Sequence, residues 1–221
     1  VEATGGTTPY TYGIGESQSS LIISGVIDGP LSGGTPKAVE FYVINDITDL
    51  STYGFGSANN GGGSDGQEFT FPSISVTSGS YVTVSSELSQ FSSFFGTSSD
   101  YASSASNING DDAIELFQNG NVVDVFGDIN TDGSGQPWEY LDGWVYRISG
   151  STTNGGVWDI AQWTFSGTNA LDGESSNATA STPFPIGTFN TPSGSGVSQS
   201  SPVFDGVTVG SYNVRVSDNN G

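Results

Sequence analysis

Two apolar runs, 114–117 (IELF) and 122–126 (VVDVF), flank Asn119-Gly120. Asn-Gly is the strongest short-range signal for a two-residue hairpin, because both residues tolerate the positive φ that a type I′ turn demands. Similar signals recur along the chain. Residues 38–44 (AVEFYVI) read as a central strand, with further strands at 81–84 and 144–148. Tyr212, Val214 and Val216 alternate with Asn213, Arg215 and Ser217, as in a half-buried strand. Helical periodicity is nearly absent. Its best candidate is 85–95, with Leu88, Phe91 and Phe95 forming a stripe. The strand spacing predicts an all-β sandwich or barrel.

Charge narrows the function. Three basic residues against 23 acidic ones give a net charge of −20. That excludes a general nucleic-acid binder, which must neutralise phosphates with Lys and Arg, and disfavours an anionic membrane surface. It favours solubility or cation binding. There is no Cys, His or Met. A disulfide framework and the usual Ser-His and Cys-His nucleophile systems are therefore absent. A two-carboxylate glycosidase is the enzyme chemistry left, and no acidic pair is singled out for it, so the expectation is a protein that is not an enzyme. No apolar run is long enough to span a bilayer, and Val1 does not begin a signal peptide, which suggests a processed or excised piece.

Two segments are low in complexity. Residues 57–66 (SANNGGGSDG) read as a flexible surface excursion, and 187–201 as a Gly/Ser/Thr-rich return linker, with 17–20 (SQSS) as its outgoing counterpart.

The two ends also read as the two halves of one small module. Ala3-Thr4-Gly5-Gly6 and Pro9-Tyr10-Thr11-Tyr12 open the chain. Phe204, Val207, Gly210-Ser211-Tyr212, Val214, Val216 and Asp218-Asn219-Asn220-Gly221 close it. Joined, they resemble an SprB-type repeat, the short β-module of surface adhesins in gliding bacteria. The piece between resembles a bacterial lamin-tail-like domain. It carries Lys37-Ala38-Val39-Glu40-Phe41-Tyr42, then Asp49-Leu50-Ser51 (with Thr52 where glycine is usual), then Gly110-Asp111-Asp112-Ala113-Ile114 with Asn119-Gly120, and finally Trp138-Glu139-Tyr140 with Asp142-Gly143-Trp144. These resemblances imply an immunoglobulin-like β-sandwich (21–190) inserted into a small second β-sandwich module (1–20 plus 197–221), with a linker at 191–196. Lamin-tail-like domains occur beside secreted nucleases and in surface proteins, and the resemblance implies a recognition or structural role. The expected setting is extracellular, at a bacterial cell surface. Neighbouring repeats are the expected partners, with a glycan or other extracellular ligand, no nucleic acid and no membrane insertion.

One motif could carry a cofactor. Asp128, Asn130, Asp132, Gly133, Ser134 and Glu139 fit D-x-[DN]-x-[DN]-G-x₅-E, the calcium-loop spacing, which sets hard oxygen donors on alternate residues and closes with a carboxylate. Strands rather than helices flank it, and the alternative is a polar turn that uses Asp and Gly for its geometry. Asp111-Asp112 reads as strand-entry turn chemistry, since adjacent strand residues face opposite ways. Asp65 and Glu68 read as solvated.

Trp138, Tyr140, Trp144, Tyr146, Trp158 and Trp163 could stack sugar rings or fill a core. Trp144 and Tyr146 share a strand face and read as core. Trp138 and Tyr140, at a loop, are the candidate ligand platform. Lys37 and Glu40 fall on opposite strand faces, and Arg147 should pair with a carboxylate. Three readings follow: an adhesin segment, a carbohydrate-binding module of a secreted polysaccharide-degrading enzyme, and a unit of an extracellular fibre.

Overall fold

The computed structural model describes residues 7–16, 19–191, 197–201, 203 and 212–217. Residues 3–6, Phe204, Val207, Gly210, Ser211 and 218–221 of the first resemblance lie outside the described residues, as do linker positions 17–18 and 192–196.

The protein is mostly β-sheet. In chain order the strands are β1 (Thr11–Glu16), β2 (Leu21–Leu31), β3 (Thr35–Val43), β4 (Tyr53–Ala58), β5 (Phe69–Thr70) and β6 (Tyr81–Ser85). Then follow β7 (Tyr101–Ala102), β8 (Ala113–Gln118), β9 (Asn121–Phe126), β10 (Gly143–Arg147), β11 (Trp163–Phe165), β12 (Val197–Gln199) and β13 (Tyr212–Ser217). A single α-helix among the described residues, α1 (Leu88–Phe95), separates β6 from β7. Among the described residues, no helix is long and apolar enough to cross a membrane.

The chain divides into two compact units, Val1–Gln18 with Thr191–Gly221, and Ser19–Asn190. In the first, β1 lies between β12 and β13 and pairs antiparallel with both; Tyr12 stands opposite Gln199 on one side and Val216 on the other. Tyr12 is buried. Strands from both ends of the chain thus share one sheet.

The second unit holds a six-stranded sheet, ordered β11-β10-β2-β3-β6-β7, and a four-stranded sheet, ordered β5-β4-β8-β9. Ile23, Val26, Val39, Phe41 and Val145 of the larger sheet meet Tyr53, Phe55, Ile114, Leu116 and Phe126 of the smaller in one core. A second core lies on the opposite face of the six-stranded sheet. There Ile22, Ile27, Tyr42, Trp144 and Tyr146 pack against Phe91 and Phe94 of α1 and against Leu171, Phe184 and Phe189. With both faces covered, β3 is buried at each of its positions and carries a near-continuous apolar run instead of a clean alternation. Each large side chain buried this way contributes about 1.5–3 kcal/mol.

The Asn-Gly hairpin joins β8 to β9, with Asn119 at φ 50° and Gly120 at φ 78°. The helix forms at the expected place with a different inward face. Phe91 and Phe94 are buried and Phe95 packs beside them, whereas Leu88 is 44% exposed. The face that meets β3 runs through positions i, i+3 and i+4 from Phe91, which leaves the first turn in solvent.

The glycine-rich segment is docked, not free. Ser57 belongs to β4, and its N–H and Oγ donate to Glu68 Oε2 (2.8 and 3.1 Å). Asn60 N–H donates to Asp112 Oδ1 (2.9 Å), and Gly63 N–H to Ile129 O (2.8 Å). The segment can lie over the four-stranded sheet because β4 presents glycines to it. A Cβ on Gly56 would stand 2.1 Å from Gly66 O.

Candidate functional site

The loop from Asp128 to Glu139 leaves β9 as a succession of side-chain-capped turns. Asp128 Oδ1 accepts from Asn130 N–H (3.0 Å) and Oδ2 from the Thr131 hydroxyl (2.8 Å). Asp132 Oδ1 accepts from Ser134 N–H (2.9 Å), and Glu139 Oε2 from Gly135 N–H (2.8 Å). The Ser134 hydroxyl donates to Asp111 Oδ2 (2.9 Å). The bonds at Asp128 Oδ1 and Asp132 Oδ1 are Asx turns, the geometry Asp and Asn favour outside regular structure.

The five oxygen-bearing residues of the calcium spacing are chemically suited to that ion, all being hard donors. As folded, the carboxylates of Asp128, Asp132 and Glu139 are turned to backbone and hydroxyl donors of their own loop. Among the described residues no group of three or more acidic side chains is gathered as a metal cage requires. Gly133 also has a different role from the sixth-position glycine of a calcium loop. Its φ is not positive, and a Cβ there would stand 2.5 Å from Asp111 O and 2.7 Å from the Trp138 ring. The glycine is needed for close approach, not for a left-handed turn.

Trp138 and Tyr140 do not form a surface platform. Trp138 is 4% exposed and Tyr140 fully buried. Turns at Gln136 and Glu139, whose N–H groups donate to Gly133 O and Gln136 O, fold the loop back. Trp138 thereby enters the core, edge-on to Phe126 with ring centroids 5.9 Å apart. Tyr140 OH donates to Asp112 O (2.9 Å). Neither ring offers a face to a ligand in solution. Trp144, Tyr146 and Trp163 are buried as well, whereas Trp158 is half-buried.

Asp111 and Asp112 tie three loops together. Asp112 Oδ1 holds Asn60 N–H and its Oδ2 holds Asn109 N–H (3.2 Å); Asp111 O accepts from Gly133 N–H (3.1 Å). Burial pushes the Asp112 carboxyl above its usual range. Glu68 is a cap for Ser57, and Asp65 accepts from the Asn59 amide (3.4 Å), so the two acids serve loop structure.

Below this knot sits Lys37, whose ammonium donates to Ile108 O and lies 3.4 Å from Asp28 Oδ1. Asp28 Oδ1 makes no hydrogen bond, so the contact is ionic only. Desolvation lifts Asp28 to about 6 against the opposing pull of Lys37. Lys37 and Glu40 do not meet. Glu40 Oε1 instead accepts from Ser24 Oγ and Tyr146 OH (both 2.7 Å), and its Oε2 from Gly187 N–H (2.7 Å). Desolvation raises Glu40 too. Tyr146 OH in turn accepts from Thr188 and Phe189 N–H (3.0 and 2.9 Å). This pins the segment that covers the second core.

Beside the Asp128 loop is a cleft of about 150 Å³ lined by Glu115, Val125, Gly127, Asp128, Ile129, Asn130, Gly156 and Trp158. Sequence reasoning missed Glu115. Its signal was the alternation of 113–117, which sends Ile114 and Leu116 inward and Glu115 to the opposite face.

No protein-family model matches the chain, and no curated protein or solved structure matches it.

Proposed function

We propose that this chain is a non-catalytic segment of an extracellular bacterial adhesin array. In this reading the unit made from the two ends is an SprB-type repeat. The inner unit is an immunoglobulin-like, lamin-tail-like sandwich that the repeat carries as a recognition domain. The observation that carries the reading is the antiparallel pairing of β1 with both β12 and β13. A module completed by strands from both ends can carry a large insertion without interrupting the array, because the insertion leaves and returns at neighbouring points. The charge of −20 suits a solvated surface array, and the lack of His and Cys suits a role without nucleophilic catalysis. Neighbouring repeats and an extracellular ligand are its partners.

Calcium at the Asp128–Glu139 loop belongs to the same proposal. Binding would draw Asp128, Asp132 and Glu139 away from their present backbone donors and stiffen the loop. A glycan site at Trp138 and Tyr140 is not part of it, since both rings are buried.

The reading is tested on intact cells of the native bacterium. Brief external protease treatment should release peptides of residues 19–190 while a cytoplasmic marker stays whole. Recovery of those peptides only after lysis would overturn it.

A further inference from the structure

The cleft beside β9 contains a carboxylate without a counter-charge. Glu115 is 3% exposed. Its Oε2 accepts a short hydrogen bond from Ser64 Oγ, and its Oε1 has no hydrogen-bond partner among the described residues. Among the described residues no ion pair reaches it. The cationic side chains described are committed elsewhere, Lys37 to Asp28 and Arg147 to Asp124. The free oxygen of Glu115 is not among the buried atoms left without a partner, so it meets the water of the cleft. A positive group entering there would meet an unneutralised carboxylate where attraction is stronger than in bulk water. The side chain lines an open cleft, so such a group has a route in.

The other walls narrow its chemistry. Asp128 adds a second carboxylate, Asn130 an amide, and half-buried Trp158 an aromatic surface, with Val125 and Ile129 as apolar flanks. A hard metal ion has no use for a tryptophan and two aliphatic walls, whereas an organic cation gains from both. The size agrees. A cleft of about 150 Å³ lies well below the ~300–1,000 Å³ of drug-sized sites and resembles cavities of ~150 Å³ that accept a single benzene-sized group. That is room for a short alkyl chain ending in one charge.

We infer that this cleft binds a primary alkylammonium group, the end of a lysine side chain from a partner protein, with Glu115 and Asp128 taking the charge and Trp158 the alkyl stem. The site stands on the cleft alone and does not depend on the adhesin reading. Binding leaves the Ser64 hydroxyl on Glu115 Oε2 in place.

The test is an amide and indole NMR titration of the whole chain with n-butylammonium chloride. Parallel arms use n-butanol and calcium chloride at matched ionic strength. Saturable shifts are expected at Gly127, Asn130, Gly156 and the Trp158 indole N–H. Affinity should fall about tenfold or more in Glu115→Gln, and also in Asp128→Asn, which lies in a surface loop and retains an acceptor for its turn. Nα-acetyl-lysine methylamide should bind as n-butylammonium does; failure of that arm alone would replace the lysine source with a free amine and overturn the partner assignment. Equal binding of n-butanol would make the cleft an apolar slot. Calcium moving the same signals while n-butylammonium moves none would make it a metal site. Unchanged affinity in both variants would remove the carboxylates from recognition. Each of these results overturns the inference.

Discussion

Arg147 Nη2 lies 2.6 Å from Asp124 Oδ2, and both side chains are completely buried. The pair spans the sandwich, from β10 in the six-stranded sheet to β9 in the four-stranded one. It also completes an interrupted ladder. β10 pairs with β2 as far as Tyr146 opposite Gly25, where a bulge follows. Beyond that point Ile23 N–H donates to Asp124 Oδ2 (3.0 Å) and Ile23 O accepts from Arg147 Nε (2.6 Å). Two side chains therefore stand in for a missing strand partner. The guanidinium lies 4.2 Å over the Trp163 ring and also donates to Gln162 Oε1 and Thr152 O.

For this pair desolvation outweighs mutual attraction. Burial raises Asp124 despite Arg147, and lowers Arg147 despite Asp124. Asp124→Leu or Arg147→Met alone should therefore cost about 3–5 kcal/mol, because the remaining charge is stranded. The double variant should recover much of that loss. Urea unfolding of both singles and the double gives the cycle; additive losses would show that the two residues act separately.

Acid should stabilise this protein over part of its range. Asp28 titrates at about 6 when folded and 3.8 when unfolded, chiefly because it is desolvated. Between those values the folded state holds a proton the unfolded state has released. Stability is thus full below pH 3.8 for this group and falls as pH rises through about 6. The interval amounts to roughly 3 kcal/mol. Glu40, Asp112, Asp124 and Asp142 are raised for the same first reason and act with the same sign. The melting temperature should rise from pH 7 to about 5, and Asp28→Asn should flatten the slope. A melting temperature that falls over that range would contradict the assignment.

Gly56→Val should loosen the loop above the four-stranded sheet. The added atoms would run into Gly66 O, at a cost of about 1–3 kcal/mol. Gly66→Ala meets open space, although its φ of 82° adds strain of its own. Amide exchange at Ser57 and Gly63 reads the effect. It should quicken in Gly56→Val while Val39 and Phe41 stay protected; unchanged exchange would mean the loop is held elsewhere.

Calcium should bind to the Asp128–Glu139 loop and raise the melting temperature, and Asp132→Asn with Glu139→Gln should abolish both effects. Calorimetric titration with a parallel melt in chelator measures this. Absence of heat and of any melting shift would leave the loop as a run of Asx turns and remove calcium from the proposed function.

Local rules made much of the β structure legible. Asn119-Gly120 takes the two positive φ angles its residues suggest, and the apolar run 38–44 becomes most of β3. Legibility failed where distant segments decide. Trp138 reads as a loop residue, yet glycines at 127 and 133 open the space that admits its ring. The segment 57–66 reads as free chain, yet Asp112, Ile129 and Glu115, all more than 50 residues on, hold it down. Glu115 itself reads as an ordinary outward strand residue until that segment covers it. Local composition encodes propensity; such burial depends on long-range partners.

The most direct test of the module proposal is a cysteine pair across its sheet. Gly13 stands opposite Arg215, and the native chain has no cysteine to compete. Gly13→Cys with Arg215→Cys, oxidised at low protein concentration, should close an intramolecular disulfide, because cross-strand partners lie at about the ~4.4–6.8 Å Cα separation a disulfide needs. Near-complete monomeric cross-linking, seen as faster migration on a non-reducing gel, is the expected result. Cross-links only between molecules would contradict a module closed by the two ends of the chain.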